Sequence, residues 1–449
     1  MKADERQQML ANAPIPGLVI RLSVPTIISM LVTSLYNMAD TFFVGQISTS
    51  ATAAVGVVFP LMAIIQACGF FFGHGSGNTI SRKLGAGKTD EARQLSSCGF
   101  YLAVFTGCIF ALFCLVFMHP LARILGSTDT ILPFTIAYMR IIVLGAPVMM
   151  ASFVLNNQLR FQGFAMYSMI GMTFGGVLNM FLDPLLIFYF DMGIAGAAVA
   201  TVFSQTLSMF LLLFLCRQCQ GLPHRISDLK YVRSALAPIA GGGLPSLCRQ
   251  GLASIATIAL NLAAKPYGDA AIAAMSIVSR IMMFANSTTI GFGQAFQPIC
   301  GFNYGSGNKK RVIEAFWFCI KLITTVLMFA AVLGFIFSPT LVAIFRKNDP
   351  DVIRIGAFAL RAQCIALPLT GWLILNNMLF QTIGYTIPAS ILASSRQGIC
   401  FLPLILILPP CFGLTGVQIA QAGADICSFL LALYFHKTRL NDFYHTAKQ

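Results

Sequence analysis

The 449-residue chain is 57% hydrophobic and only 10% charged, with a mean hydropathy of +0.79. A soluble protein carries about 25% charged residues, so too little charge remains to coat a water-facing surface and lipid must be the main solvent. The net charge of +14 does not point to nucleic acid, because Lys and Arg stand in short clusters between apolar runs and not along one amphipathic face.

The N-terminal MKADERQQMLANAPIPG is polar and carries acids, and no short apolar core with a cleavage site follows it. The first apolar stretch is therefore expected to be a retained span and not a signal peptide. A membrane-crossing helix needs about 20 apolar residues. Twelve such segments follow in order, near 17–42, 52–80, 96–118, 132–155, 164–190, 194–216, 236–263, 270–298, 315–338, 352–376, 386–410 and 414–436. Lipid offers no partner for unpaired backbone groups, and no alternating ten-residue pattern suggests a barrel. The expected fold class is an all-α integral membrane protein with twelve transmembrane helices.

Loop charge sets the orientation. Lys2, Arg6, Arg82, Lys83, Lys88, Arg93, Arg160, Arg217, Arg225, Lys230, Arg233, Lys309, Lys310, Arg311, Arg396, Lys437 and Arg439 gather on one side. The other side holds Arg123, Lys265, Arg346, Lys347 and Arg354. Both termini and the loop 217–235 are thus expected in the cytoplasm.

A shift of 220 residues brings distant segments into register: Pro25 on Pro245, Gly73 on Gly293, Gly85 and Gly87 on Gly305 and Gly307, and Asn156-Asn157 on Asn376-Asn377. GIAGAAVA (193–200) likewise falls on GLTGVQIA (413–420). The expected organisation is a parallel internal repeat, as transporters often show. Its parts are an N-terminal six-helix lobe (1–216), a cytoplasmic linker (217–235) and a C-terminal six-helix lobe (236–449).

The stretch RKLGAGKTDEAR (82–93) contains a Gly-Lys-Thr like the end of a phosphate-binding loop. That pattern needs a further Gly where Arg82 stands, and it follows a strand. Here an apolar helix precedes, and the counterpart YGSGN (304–308) lacks both Lys and Thr. The stretch reads as a tight turn between helices 2 and 3. GHGSGN (73–78), inside an apolar helix, reads as close helix packing. The thirteen cysteines are scattered, and the one close pair, Cys216 and Cys219, lacks a second pair to complete a zinc site. No catalytic constellation occurs and the five histidines are dispersed, which points away from an enzyme. The thirty-nine Phe and twenty Met would mostly face lipid or core, although Met also suits adaptable binding surfaces.

Ionisable groups inside a span are costly and point to an ion or substrate path. Asp40, Asp183 and Asp425 are the acids in or near predicted spans. Asn179 precedes Asp183 by one helical turn on the same face, and Asp183-Pro184 invites a local break. By rise per residue, Asp40, Asp183 and Thr201 share one outer-leaflet depth. Their counterparts Leu260, Pro403 and Gln421 leave the second repeat without this acid pair. Two carboxylates in one low-dielectric pocket hold a proton or share a cation, so this cluster is a candidate H⁺ site or, with Asn179 and Thr201 oxygens, a Na⁺ site. Asp425, Arg249 and Arg280 also fall within spans, with no role assigned; Arg at such places snorkels or pairs.

These residues, with VPTIISMLVTSLYNMADTFFVG (24–45), SRKLGAGKTDEAR (81–93), NNQLRFQG (156–163), NMFLDPLLIF (179–188), GIAGAAVATVFSQ (193–205) and PICGFNYGSGN (298–308), resemble the multidrug and toxic compound extrusion (MATE) family. The similar branch holds the MepA-type and DNA-damage-inducible-F-type exporters. The resemblance implies a monomer in the bacterial plasma (inner) membrane that exports cationic or amphipathic drugs in exchange for H⁺ or Na⁺, with no cofactor. It implies a cation site at Asp40, Asn179, Asp183 and Thr201, with Tyr36, Tyr138 and Asn157 as neighbours and Pro25 as a bending point. Second-lobe acids found in other members are absent here. A lipid-linked saccharide flippase of the same superfamily is the alternative, for which several cavity-facing Arg or Lys would be needed.

Overall fold

A computed structural model describes residues 3–345, 349–440 and 443. Lys2, Arg346 and Lys347 of the loop-charge pattern lie outside them. Twelve described helices are long and apolar enough to span a bilayer. They are α1 Ile15–Gly45, α2 Thr49–Gly85, α3 Thr89–Val116, α4 Leu132–Phe161, α5 Ala165–Tyr189, α6 Gly193–Gln218, α7 Val232–Ala264, α8 Asp269–Gly305, α9 Lys309–Ile336, α10 Pro350–Ile383, α11 Thr386–Phe412 and α12 Leu414–Arg439. No strand occurs among the described residues.

The repeat is visible in local structure. Short helices Met118–Ile124 and Ser338–Phe345 follow α3 and α9 at matching positions. The turns after α2 and α8 both use a glycine with positive φ, Gly87 at 73° and Gly307 at 80°, a conformation that costs a side chain-bearing residue dearly. Lys83 and Lys88 both pair with Glu91, and Arg93 pairs with Asp90. RKLGAGKTDEAR is therefore a turn whose basic residues are partly paired within it. The glycines of GHGSGN are packing positions: a Cβ on Gly73 would lie 2.9 Å from Asn157 Cβ, and one on Gly75 only 2.1 Å from the Ile239 carbonyl oxygen.

The chain packs into two compact units, one of Met1–Ala13 with Val24–Leu247, the other of Pro14–Ser23 with Cys248–Gln449. Of the three divisions, one precedes α1 and the other two fall inside α1 and α7, close to Pro25 and Pro245. In the first unit α4 is the central helix, with 72% of its span buried against α2, α3 and α6. In the second, α10 takes that place, 61% buried against α8, α9 and α12. Outer helices such as α3 leave Phe105, Ile109, Leu112 and Val116 exposed, as a lipid-facing surface requires.

The connection after α6 packs within the first unit. Asp228 of the 3₁₀ turn Ile226–Tyr231 is buried, accepts a hydrogen bond from Ser97 Oγ at 2.9 Å and faces Arg93 Nε at 3.5 Å. His224 Nε2 stands 2.9 Å from Gln158 Oε1 and 3.1 Å from Ser96 Oγ. A carbonyl oxygen only accepts, so Nε2 carries the hydrogen. Burial pushes this imidazole down from its ordinary 6.5 to about 4, which keeps it neutral at neutral pH.

Candidate cation site in the first unit

α5 runs through Asn179 and Asp183 to Pro184 and ends in a π turn at Leu185–Tyr189. Pro184 has no N–H, so the carbonyl one turn back loses its helical partner and the chain can widen. Close contact with α6 depends on small residues. A Cβ on Gly175 would stand 2.9 Å from Ser208 Cβ, and one on Gly171 2.3 Å from Leu212 Cδ2. Across this seam Asn179 Nδ2 donates to Asp183 Oδ1 at 3.2 Å and to Thr201 Oγ1 of α6 at 3.4 Å.

Helix α1 joins through Gly176, whose missing Cβ would lie 3.2 Å from Tyr36 Cδ1 and 3.1 Å from Val32 Cγ1. Asp40 follows Tyr36 by one turn, on the same face. From α4, fully buried Tyr138 directs its hydroxyl to Met62 Sδ at 3.6 Å. Asp40 lies within electrostatic reach of Tyr36, Tyr138 and Asp183, and Tyr138 also within reach of Tyr36 and Asp183.

Asp40, Asn179, Asp183 and Thr201 are each at most 9% exposed. Among the described residues Asp40 Oδ1, Asn179 Oδ1 and Asp183 Oδ2 have no hydrogen-bond donor. Among the described residues neither carboxylate forms an ion pair. Buried acceptors left so cost about 1–3 kcal/mol each, more when charged. Two carboxylates and an amide oxygen converge without a resident positive charge, and this donor set suits a proton or a small hard cation.

Asn157 stands apart from this group. It lies 19 residues beyond Tyr138 on the same helix, about 28 Å at 1.5 Å per residue. There its Nδ2 bonds the Phe153 carbonyl and its Oδ1 accepts from Arg160, which also meets His74 Nε2 at 3.0 Å. His74 Nδ1 in turn faces Ser246 Oγ at 2.8 Å. Pro25 sits inside α1, where it removes the bond to the Arg21 carbonyl.

In the second unit, Arg249 Nη1 reaches Asn377 Oδ1 at 3.5 Å, and Arg280 is exposed. Arg396 is not a loop residue. It occupies a π turn, Ser395–Ile399, within α11, and clamps Asp425 with Nε–Oδ1 at 2.7 Å and Nη2–Oδ2 at 3.3 Å. Its Nη1 donates to Asn286 Oδ1 at 2.8 Å, and Gln421 Nε2 donates to Asp425 Oδ1 at 3.1 Å. Sequence reasoning missed this pair because the partners are 29 positions apart. The one available signal was a lone acid and a lone Arg in adjacent spans.

Twelve apolar helices in two related halves, with an uncompensated carboxylate pair buried in one of them, define a polytopic membrane transporter. The chain belongs to the MatE family: the MatE family model matches residues 25–185 and again 245–407. The two matches start at Pro25 and Pro245, the offset read from the sequence. The multidrug export protein MepA of Staphylococcus aureus (strain MSSA476) is 30% identical over 444 residues, 97% of each chain. The MepA of Staphylococcus saprophyticus is 29% identical over 431 residues, 94% of each. A crystal structure of MATE in complex with MaL6 matches with a TM-score of 0.92 at 26% identity, over 98% of this chain and 99% of that one.

Proposed function

We propose that the chain is a multidrug exporter of bacterial membranes that releases cationic or amphipathic compounds in exchange for H⁺ or Na⁺ bound by Asp40, Asn179, Asp183 and Thr201. Similarity to the MepA exporters over nearly the whole chain supports the substrate class. The observation that carries the coupling is the contrast between two buried acids. Asp425 has its own guanidinium, whereas Asp40 and Asp183 have none. A carboxylate pair in low dielectric recruits positive charge from outside the protein.

The proposed cycle is an exchange. Drug loads from the cytoplasmic side with the carboxylates charged. A proton or Na⁺ then arrives from the outer side, neutralises the Asp40/Asp183 pair and relaxes α1 around Pro25, and the drug is released outward. A membrane potential of 100 mV supplies about 2.3 kcal/mol for each net charge that enters per drug exported, or roughly 50-fold accumulation at 1.4 kcal/mol per tenfold; one ion exchanged for one monocation moves no net charge and draws only on the ion's concentration gradient. The flippase alternative calls for free basic groups facing a pyrophosphate, but Arg396 is committed to Asp425 and Arg160 to His74 and Asn157.

Dye uptake into everted vesicles, energised separately by a pH gradient and by a Na⁺ gradient, tests this reading. At least one gradient is expected to drive uptake. Uptake that follows ATP and ignores both gradients would contradict it.

A further inference from the structure

One turn cytoplasmic of Thr201, α6 carries a polar stripe that the carboxylate site does not use. Thr201, Ser204, Gln205 and Ser208 repeat at the spacing of one helix face, and all four are at most 5% exposed. The ends of the stripe fix its direction. Thr201 accepts from Asn179, and Ser208 Oγ donates to the Gly171 carbonyl at 2.8 Å, both on α5. Ser204 and Gln205 lie between them, yet Ser204 Oγ and Gln205 Oε1 have no partner. A serine in a helix ordinarily satisfies itself on the carbonyl one turn back, as Ser76 and Thr206 do here. Two buried oxygens at one level of α6 without a partner among the described residues call for a polar guest.

The second repeat shows what this slot binds. Under the 220-residue offset Thr201 corresponds to Gln421, Gln205 to Asp425, and Gly176 to Arg396. There Asp425 holds a positive group, the guanidinium of Arg396, which also donates to Asn286 Oδ1, and Gln421 Nε2 donates to Asp425 Oδ1. The first repeat has the slot but, with Gly176, no built-in cation. Beyond Ser208 the stripe stops at an apolar cluster of Leu155, Leu159, Phe164, Leu212, Cys216 and Cys219.

We propose that Ser204 and Gln205 form an inner station for the coupling cation, a hydrated proton or Na⁺. The station lies about 5 Å further along α6 than Thr201, at 1.5 Å per residue. The ion passes from Asp183 to this station before it crosses the Leu212 cluster to the cytoplasm. This rests on the reading of Asp40 and Asp183 as the coupling pair.

The test uses purified full-length protein in liposomes, with two assays on each variant. Net ethidium transport under an imposed pH or Na⁺ gradient requires the cation to cycle; ethidium–ethidium exchange at equal pH and Na⁺ on both sides does not. For Ser204→Ala/Gln205→Leu, net transport is expected to fall about tenfold while exchange stays within twofold of wild type. The single variant Gln205→Asn, which keeps the amide, is expected to retain most net transport. Gln205→Glu, with the acid that the second repeat already accommodates, is expected to raise apparent cation affinity and slow turnover. Unchanged net transport in the double variant would overturn the station, and so would a parallel fall of both assays, which marks a packing role. If the double variant does not fold, unchanged cation affinity in Gln205→Glu overturns it. Asp183→Asn separates the two readings: normal net transport there defeats the coupling pair itself, whatever the stripe does.

Discussion

Asp425 touches two nitrogens of Arg396 and the amide of Gln421, whereas Asp183 touches only the amide of Asn179. Asp425→Asn strands a guanidinium whose side chain is only 14% exposed, and breaking such a buried pair costs about 3–5 kcal/mol. The thermal midpoint in detergent is expected to drop sharply, and Asp425→Asn/Arg396→Gln is expected to recover much of it. If the single variant melts like wild type, the pair is not structural. Asp40, Asn179, Asp183 and Thr201 were legible in the sequence because burying an acid is expensive and the spacing puts the oxygens at one depth. Asn157 was not, since likeness of motif carries no information on depth along a helix. Arg396 was counted among the loop charges although it falls inside the predicted span 386–410, because nothing near it in sequence shows the acid that pairs with it.

Among the elements, the twelve helices and their turns follow from apolar length and glycine placement, and the structure places them with shifts of a few residues. The long α2 and α8 run well past the predicted ends, because the polar residues that follow their apolar runs are still helical. The π turns in α5 and α11 were invisible, apart from the hint at Asp183-Pro184, since they answer to packing and not to composition. The connection after α6 also hid its role: His224 and Asp228 are ordinary loop residues until α3 covers them. The docked imidazole is held neutral by burial. Its contribution is therefore complete above the unfolded value of 6.5 and is lost as pH falls toward about 4. Protection factors of residues 219–231, taken relative to the intrinsic exchange rate at each pH, are expected to fall over that interval, and His224→Gln is expected to flatten the dependence. A pH-independent loop in wild type would contradict the assignment.

At the scale of the molecule, one six-helix plan is used twice with different electrostatics. The first copy leaves its acids open on α1 and α5, while the second closes its acid on α12 with an internal guanidinium. The repeat was readable because glycines, prolines and paired asparagines keep one offset, and the double match of the MatE model rests on the same regularity. The asymmetry was only half readable: the missing acids of the second repeat were evident, and the ion pair that replaces them was not. The central claim is that Asp183 exchanges a bound cation for drug. It is tested most directly by dye uptake into everted vesicles carrying wild type or Asp183→Asn at equal membrane abundance, with the gradient imposed after dye is added outside. The account predicts that wild type responds to the gradient and that Asp183→Asn, though folded and inserted, does not; gradient-driven uptake at the wild-type rate in the variant would contradict it.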